Sequence, residues 1–430
     1  MMRRCVAVDD LVPGLYVAEL DRPWLETPFL FQGFVVEDEA ALRTLREYCR
    51  HVYVDPERSR PEALRRVPPA ASPPPARVTR LRGAPRVVEP GHADVVRAFG
   101  EAPQPSGNEF RALLRLARDV RGRSRRIVDR IFRDVRLGRS VDTAEVREIM
   151  RDLVAVVTEN ASASLWLTNL RKRDEYTSIH SMNVCVLALA FGRHLGLRRH
   201  DLEELGTGAI LHDVGKVRTP DEILNKQERL TEAEMAIVRR HPEDGYRLLQ
   251  PTGALPEAAL QIVRLHHERI DGSGYPLGLA GEQIPQPVLI AGICDVYDAM
   301  TSDRPYRKGV PADRVLRMLY DRAEFDFGQA LTEGFIRCLG IYPPGCLVQL
   351  DDNALAVVVT ADPHARLRPV VMLVRDAEGA LCRRRTLRNL AAMAAESDRP
   401  GRGCNVRRVL NPADHDVDIA AVLAADLATR

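Results

Sequence analysis

Seven nitrogen and oxygen donors spread between positions 180 and 295 constrain this chain more than any other feature: His180, His212, Asp213, His241, His266, His267 and Asp295. The five histidines fall within 88 consecutive positions, although the whole 430-residue chain holds 11. Imidazole and carboxylate are the donor types that suit divalent first-row metals with nitrogen and oxygen preference. A lone buried histidine is ordinarily satisfied by a neighbour in the core. Seven such groups on successive elements are costly to bury together without a cation. The fold must therefore bring distant segments to one metal-bearing pocket, and the chemistry to expect is that of a metallohydrolase.

The segments that carry these residues read as helices. From about 163 to 339 the apolar residues recur at helical period, and each donor falls at a helix end or on a helix face. His180 stands ahead of the apolar run MNVCVLALAFG, where an imidazole needs a partner. His212 and Asp213 are adjacent, so on a helix their side chains diverge by about 100°. They grip one ion together, or Asp213 bridges two. Gly215 is expected to end that helix, and Lys216, in a chain with only four lysines, returns near the face of His212, where an ammonium meets a phosphate oxygen. Pro242 biases His241 out of the α region and places it at a helix junction. His266 and His267 close a helix over 260–265, just before the turn Asp271-Gly-Ser-Gly. Asp295 and Asp298 share one helix face. One is expected to bind metal while the other orients Lys216, a ligand group or a water.

The rest of the chain divides by pattern into five stretches. Residues 1–56 read as a small α/β unit, with two short strands around Pro13-Gly14, a helix over 37–50 and a strand at HVYVD. Prolines cluster through 57–108, as in VPPAASPPPA, which reads as a linker. Two connecting helices follow in 109–160. The first, over 109–137, carries an apolar stripe of Phe110, Leu113, Leu114, Ala117, Val120, Ile127, Ile131 and Phe132. The second is capped by Asp142. The helical metal domain covers 161–340. In 341–430 CLVQL, ALAVVV and VVMLVR read as strands, and the Ala-rich tail from Asp418 as a short terminal helix.

Bulk properties exclude several classes. An apolar content of 45% is that of an ordinary globular protein, and no 18-residue apolar run offers a membrane span. The start MMRRCVAVDD lacks the apolar core of a signal peptide. Eight scattered cysteines without a C-x-x-C pair point to a reducing cytoplasm rather than a disulfide framework. A net charge of +2 gives no reason to expect nucleic acid. The stretch 57–139 nevertheless holds 20 Arg against 9 acidic residues, so it is net +11 and the remainder −9. That is either a solvated Arg-rich surface or a face for an acidic partner.

The quoted segments HSMNV, LHDVGK, KQERLTEAE, HPEDGYRLL, HHERIDGSGYPLGL and ICDVYDAMTSDRPYRKG together resemble the HD-GYP family of bacterial cyclic di-GMP phosphodiesterases, over about 174–339. LVPGLYV and DRPWLETPF also resemble the small domain often found ahead of HD-GYP domains. The resemblance implies a mainly α, helical HD-type bundle with two or three metals, iron or manganese. Its metal ligands here are His180, His212, Asp213, His241, His266, His267 and Asp295, with Asp213 as bridge and Asp213 and Lys216 as the catalytic pair. Gly274, Tyr275, Asp298, Arg304 and Arg307 fall where the family meets its ligand. Arg304 reads a guanine edge, clamps a phosphate by its planar fork, or pairs with Asp298 or Asp303. Three-metal members place a glutamate four residues before the first histidine; here that position is Tyr176, with Glu175 one residue earlier, so two metals are expected. The resemblance implies hydrolysis of cyclic di-GMP to pGpG and onward to GMP. Two alternatives stay open: a cyclic di-GMP sensor that docks signalling proteins through the GYP loop, and a phosphodiesterase of another nucleotide such as cyclic GMP-AMP. The 109–137 helix is a candidate homodimer contact.

Overall fold

A computed structural model describes residues 4–21, 34–36, 39–56, 58–67, 107–139, 141–168, 176–226, 228–302, 308–360, 367–382, 386–395, 403–415, 417–419 and 421–422. The chain forms two compact units, Met1–Arg80 with Ala365–Leu367, and Leu81–His364 with Arg368–Arg430.

The first unit is an antiparallel sheet of β1 (Arg4–Ala7), β2 (Tyr16–Leu20), β3 (Phe34–Val35) and β4 (His51–Val54), with α1 (Glu39–Tyr48). The spatial order is β1-β4-β2-β3. The two strands expected around Pro13-Gly14 form, but they do not pair with each other, because β4 lies between them. Val6, Val17, Leu20, Val52 and Val54 are buried with Leu42 and Leu45 of α1, which is the amphipathic pattern that predicted the helix. Residues 58–67, expected in the linker, belong instead to this unit. Tyr16 N donates to Ser59 Oγ at 2.8 Å, α2 (Pro61–Leu64) follows, and Ala63 and Val67 are buried. Gly14 has φ +97°, and a Cβ there would lie 3.1 Å from Arg60 and 3.2 Å from Ala63. Most of the expected linker and of WLETPFLFQGF lies outside the described residues.

The second unit opens with α3 (Gly107–Arg136) and α4 (Thr143–Glu159). Along α3, Ala117, Val120, Ser124, Val128, Ile131 and Val135 are buried, so the buried line passes through Val128 and Val135 while Ile127 and Phe132 flank it half-buried. The side chains of Phe110, Leu113 and Leu114 lie outside the described set. Asp142 caps α4 as expected, accepting from Ala144 N at 3.0 Å and Glu145 N at 3.2 Å. Then come α5 (Ala161–Thr168), α6 (Tyr176–His194) and α7 (Arg199–Leu211), a 3-10 turn Val214–Arg218, and α8 (Asp221–Leu224), α9 (Glu232–Val238), α10 (His241–Leu249) and α11 (Glu257–Leu265). The helical part closes with α12 (Gln286–Thr301), α13 (Ala312–Asp321), α14 (Ala323–Asp326) and α15 (Gln329–Leu339). From Met182 to Phe191, α6 is buried at every position, so it runs through the bundle centre rather than along its surface. It packs against α3, α7 and α12. The helices expected merely to connect domains thus form part of the bundle wall, with α3 also touching α5 and the 3-10 turn.

The expected C-terminal strands are present as β5 (Leu347–Leu350), β6 (Leu355–Thr360) and β7 (Val370–Arg375), joined by β8 (Leu387–Asn389) and β9 (Val406–Leu410), which the pattern alone missed. The sheet order is β8-β7-β6-β5-β9, all antiparallel. Alternate residues of β6 serve two cores. Leu355, Val357 and Val359 pack with Trp166 of α5 and Ala117 of α3, whereas Ala356 and Val358 pack with Val371, Leu373 and Leu390. A strand buried on both faces has to be apolar throughout, which explains the unbroken run ALAVVV. Trp166 Nε1 donates to Val358 O at 2.7 Å and ties this sheet to the helices. Beyond Val422 the Ala-rich tail lies outside the described residues.

Asp142→Ala should leave two first-turn N–H groups of α4 to solvent and cost about 1 kcal/mol. Urea melts would show this as a lower midpoint at unchanged slope. A midpoint equal to that of the parent would remove the cap from the account of α4.

Candidate metal centre

Three histidines are held in one way, and the chain's local geometry does the holding. Each closes or opens a helical turn and donates Nδ1–H to a carbonyl three or four residues earlier. His212 donates to Ala209 O at 2.7 Å, His241 to Val238 O at 2.8 Å, and His266 to Val263 O at 3.1 Å and Ile262 O at 3.2 Å. A carbonyl can only accept, so in the neutral ring the proton sits on Nδ1 and the Nε2 lone pair is bare. His241 Nε2 and His266 Nε2 then face each other at 3.2 Å with no proton between them. His212 Nε2 is buried without a hydrogen-bond partner. Bare lone pairs converging in a buried pocket need a cation.

The carboxylates bind the two halves of this cluster together. Asp213 Oδ2 lies 3.4 Å from His212 Nε2, 3.8 Å from His180 Nε2 and 2.5 Å from Lys216 Nζ. Its other oxygen, Oδ1, lies 3.3 Å from His241 Nε2 and accepts no hydrogen bond. Asp295 Oδ1 is 3.0 Å from His180 Nε2 and 4.0 Å from His212 Nε2, and its Oδ2 is 3.8 Å from His267 Nδ1. Three overlapping groups result: His180 with His212 and Asp213, His212 with His266 and Asp295, and His241 with His266 and His267. All seven ligands expected from the sequence therefore meet, and the donor set fits divalent cations.

Glycines make the convergence possible. Gly215 does not end a helix; α7 stops at Leu211 and His212 is its C-cap. Gly215 lies in the 3-10 turn, and a Cβ there would stand 1.9 Å from the His241 carbonyl and 2.5 Å from Gly245 N. Its role is close approach of the Asp213 segment to α10. His241 is the first residue of α10, with Pro242 in the first turn, where a missing N–H costs nothing.

Asp298, placed among the substrate contacts by the family pattern and offered by its helix face as an orienting carboxylate, is hydrogen-bonded to the cluster. It is 3% exposed. Its Oδ2 accepts from His180 Nδ1 at 2.8 Å and its Oδ1 from Asn183 Nδ2 at 3.0 Å, so it orients a metal ligand. Tyr275 does face the cluster. Its ring stacks on His267 at 4.6 Å between centroids, and the Arg239 guanidinium carbon lies over it, 5.3 Å from the ring centroid. Gly274 passes so close to 267–269 that a Cβ would fall 2.4 Å from Arg269 N. A residue the sequence reading missed holds this loop: buried Glu268 accepts from Leu277 N at 2.7 Å and Leu279 N at 2.9 Å. A glutamate directly after two histidines could have been suspected, but a loop carries no periodicity to mark it as buried. Thr231 and Glu234 form a capping box at the start of α9, and Glu234 also receives Lys226 at 2.8 Å, which accounts for the KQERLTEAE segment. Arg304 and Arg307 lie outside the described residues, as do Glu175 and the side chain of Tyr176.

Burial and charge set the protonation of the cluster. Burial, and then the Lys216 ammonium, hold His241 at about 4. Burial also drives His266 and His267 well below the ordinary imidazole value. Burial works against charge on Asp213, but Lys216 and the surrounding imidazoles overcome it and keep the carboxyl well below its usual range. In His180 burial is likewise overcome, here by Asp295 and Asp298, and the ring is raised to about 9. The Tyr275 hydroxyl is pushed up, first by burial and then by Asp295 and Asp213, so it stays a donor at neutral pH.

A helical bundle with adjacent His and Asp at the end of one helix and further histidines closing around them defines an HD-type metal-dependent phosphohydrolase. The chain matches the HD domain over residues 156–331 and a domain of unknown function, DUF3391, over residues 3–146. It is 35% identical to the cyclic di-GMP phosphodiesterase PA4108 of Pseudomonas aeruginosa, across 86% of this chain and 84% of that protein. It is 37% identical to the cyclic di-GMP phosphodiesterase response regulator RpfG of Xanthomonas campestris, across 38% of this chain and 44% of the other. With the 3'3'-cGAMP-specific phosphodiesterase 1 of Vibrio cholerae it shares 35% identity, across 42% and 41%. The chain belongs to the HD-GYP family of phosphodiesterases. Among the described residues no helix is long and apolar enough to cross a membrane, and all eight cysteines are free.

In the metal-free protein these rings predict stability that falls on both sides of about pH 6.5. His241 titrates near 4 when folded and near 6.5 when unfolded, so the unfolded chain binds the extra proton and stability drops as pH falls through that window. His180, raised to about 9, contributes stability that is full below about 6.5 and is lost as pH rises towards 9. Each effect is on the order of 3 kcal/mol. Denaturant melts of chelated protein from pH 4 to 9 test this, and a profile flat across that range would contradict the protonation states above.

Proposed function

We propose that this chain is a two-metal phosphodiesterase that opens cyclic di-GMP to linear pGpG and, in a second cut, releases GMP. The observation that carries the reading is Asp213, whose two oxygens face different histidines, Oδ2 toward His212 and His180 and Oδ1 toward His241. That is the geometry a bridging carboxylate needs. His180, His212 and Asp295 would hold one ion and His241, His266 and His267 the other, with iron or manganese suited to the donors. Two divalent cations so held would supply positive charge against phosphoryl oxygens and would acidify water.

The chain's own groups do the rest. Lys216 places its Nζ beside Asp213 and partly exposed, where it can neutralise charge that develops on a non-bridging phosphate oxygen. Tyr275, neutral and stacked on His267, offers a hydroxyl donor beside the cluster. Arg304 and Arg307 are assigned to the ligand by the family pattern alone. Water adds to phosphorus, the P–O3′ bond breaks, and the 3′ oxygen leaves with a proton. No side-chain nucleophile is needed. Buried Cys185 and Cys294 keep their protons, burial having raised both thiols.

A second substrate reading is favoured by the resemblance to a relative named as specific for 3'3'-cGAMP. Chromatography of products from cyclic di-GMP and 3'3'-cGAMP, with metal-loaded protein kept anaerobic, separates the two and also tests catalysis against mere sensing. Asp213→Ala is expected to lower turnover by more than about 100-fold, the scale of a single transition-state charge contact, and to reduce bound metal per chain. Binding of cyclic di-GMP without cleavage by the fully loaded parent would overturn the enzyme reading.

A further inference from the structure

Arg121 belongs to the Arg-rich stretch that the sequence reading could explain only as solvated surface or as a face for an acidic partner. Its neighbours on α3 fit the solvated alternative: Arg118, Arg123 and Arg126 are exposed. Arg121 does not. It turns inward beside the buried line of Val120 and Ser124, and its Nη2 donates to Asn183 Oδ1 at 2.7 Å. Asn183 is 1% exposed and three residues after His180 on α6. Its Nδ2 donates to Asp298 Oδ1 at 3.0 Å and to Thr168 O at 3.1 Å. Asp298 in turn accepts from His180 Nδ1 at 2.8 Å. Four side chains from three helices therefore form one line from the outer helix to a metal ligand.

We propose that Arg121 is a positioning residue of the metal centre: through Asn183 it fixes the Asp298 carboxylate, and through Asp298 the ring plane and tautomer of His180. The chemistry requires each link. With His180 Nδ1–H bonded to a carboxylate, the ring plane is fixed and Nε2 is aimed at the cluster, 3.0 Å from Asp295 Oδ1. Asp298 is buried, and the Arg121 guanidinium reaches it through one amide, Nη2 to Asn183 Oδ1 at 2.7 Å and Asn183 Nδ2 to Asp298 Oδ1 at 3.0 Å. Asn183 cannot rotate its amide without breaking all three bonds, because its oxygen faces a donor and its nitrogen faces two acceptors. Since α3 carries the arginine, any displacement of α3 along its axis acts on His180 without touching substrate.

The inference rests on the metal reading, so the test reads metal binding itself rather than turnover. Affinity for Mn²⁺ is measured by competition with a chromophoric chelator on full-length parent, Arg121→Met, Arg121→Lys, Asn183→Ala and the Arg121→Met/Asn183→Ala double variant, with Asp213→Ala as control. Arg121→Met and Asn183→Ala should each weaken Mn²⁺ binding by about 10- to 100-fold, the usual effect of losing a partner that orients a ligand. The double variant should be no worse than the weaker single one, because both break the same line. Arg121→Lys, which retains charge but offers a single-point donor, should recover part of the loss, and it still tests the geometry if Arg121→Met does not fold. Parent-like affinity in folded Arg121→Met or in Arg121→Lys, or losses that add in the double variant, would overturn the relay. If Asp213→Ala also kept its metal, the metal-site reading itself would fall, which is a different failure.

Discussion

A carboxylate buried in the middle of the bundle, Asp213, is the group on which the rest of this structure depends. It is 1% exposed, and against that burial the Lys216 ammonium, first among its neighbours, holds the carboxyl well below its usual range. Desolvating such a group would otherwise be prohibitive. Its two oxygens divide the site, and the ligands on either side can be followed outward to five separate helices or turns. The 3-10 turn that follows Asp213 presses on α10 so closely that only glycine fits at 215.

The histidines contribute through a repeated local device. A ring that ends or begins a helix finds an unpaired carbonyl one turn back, which is where helix ends leave such groups. Satisfying that carbonyl with Nδ1–H fixes the tautomer and turns Nε2 towards the pocket. His180 is the exception, since it lies within α6, where the backbone carbonyls are already used. It takes a carboxylate, Asp298, in place of a carbonyl, and so draws Asn183 and Arg121 into the site. The difference between one ligand and the others follows from position along a helix.

Much of this was legible in the chain. All seven converging donors could be named from residue type and spacing, because ligand chemistry restricts residue identity severely and helical period places them at helix ends and on helix faces. The buried run of α6, the cap at Asp142 and three strands of the C-terminal sheet were equally readable, since each follows a local rule. Other features were not. Asp298 was readable only as one of two carboxylates sharing a helix face, either of which could bind metal or orient a neighbour, because spacing does not say which partner each one finds. Glu268 lies in a loop without period. Residues 58–67 looked like linker because prolines dominate the neighbourhood, yet two apolar side chains and one serine suffice to fold them back. β8 and β9 are short and charged, with little alternation to betray them.

By itself, then, the amino-acid order determined which residues could hold metal, which segments were helical and which family pattern they follow, because those properties depend on side-chain chemistry and on neighbours within a few positions. Only the tertiary structure decided which oxygen of Asp213 faces which histidine, that Asp298 serves His180, and that Arg121 and Trp166 bind outer elements to the centre. Those choices depend on contacts between residues as far apart as 62 positions for Arg121 and Asn183 or 192 for Trp166 and Val358, and no local periodicity encodes a contact at that range.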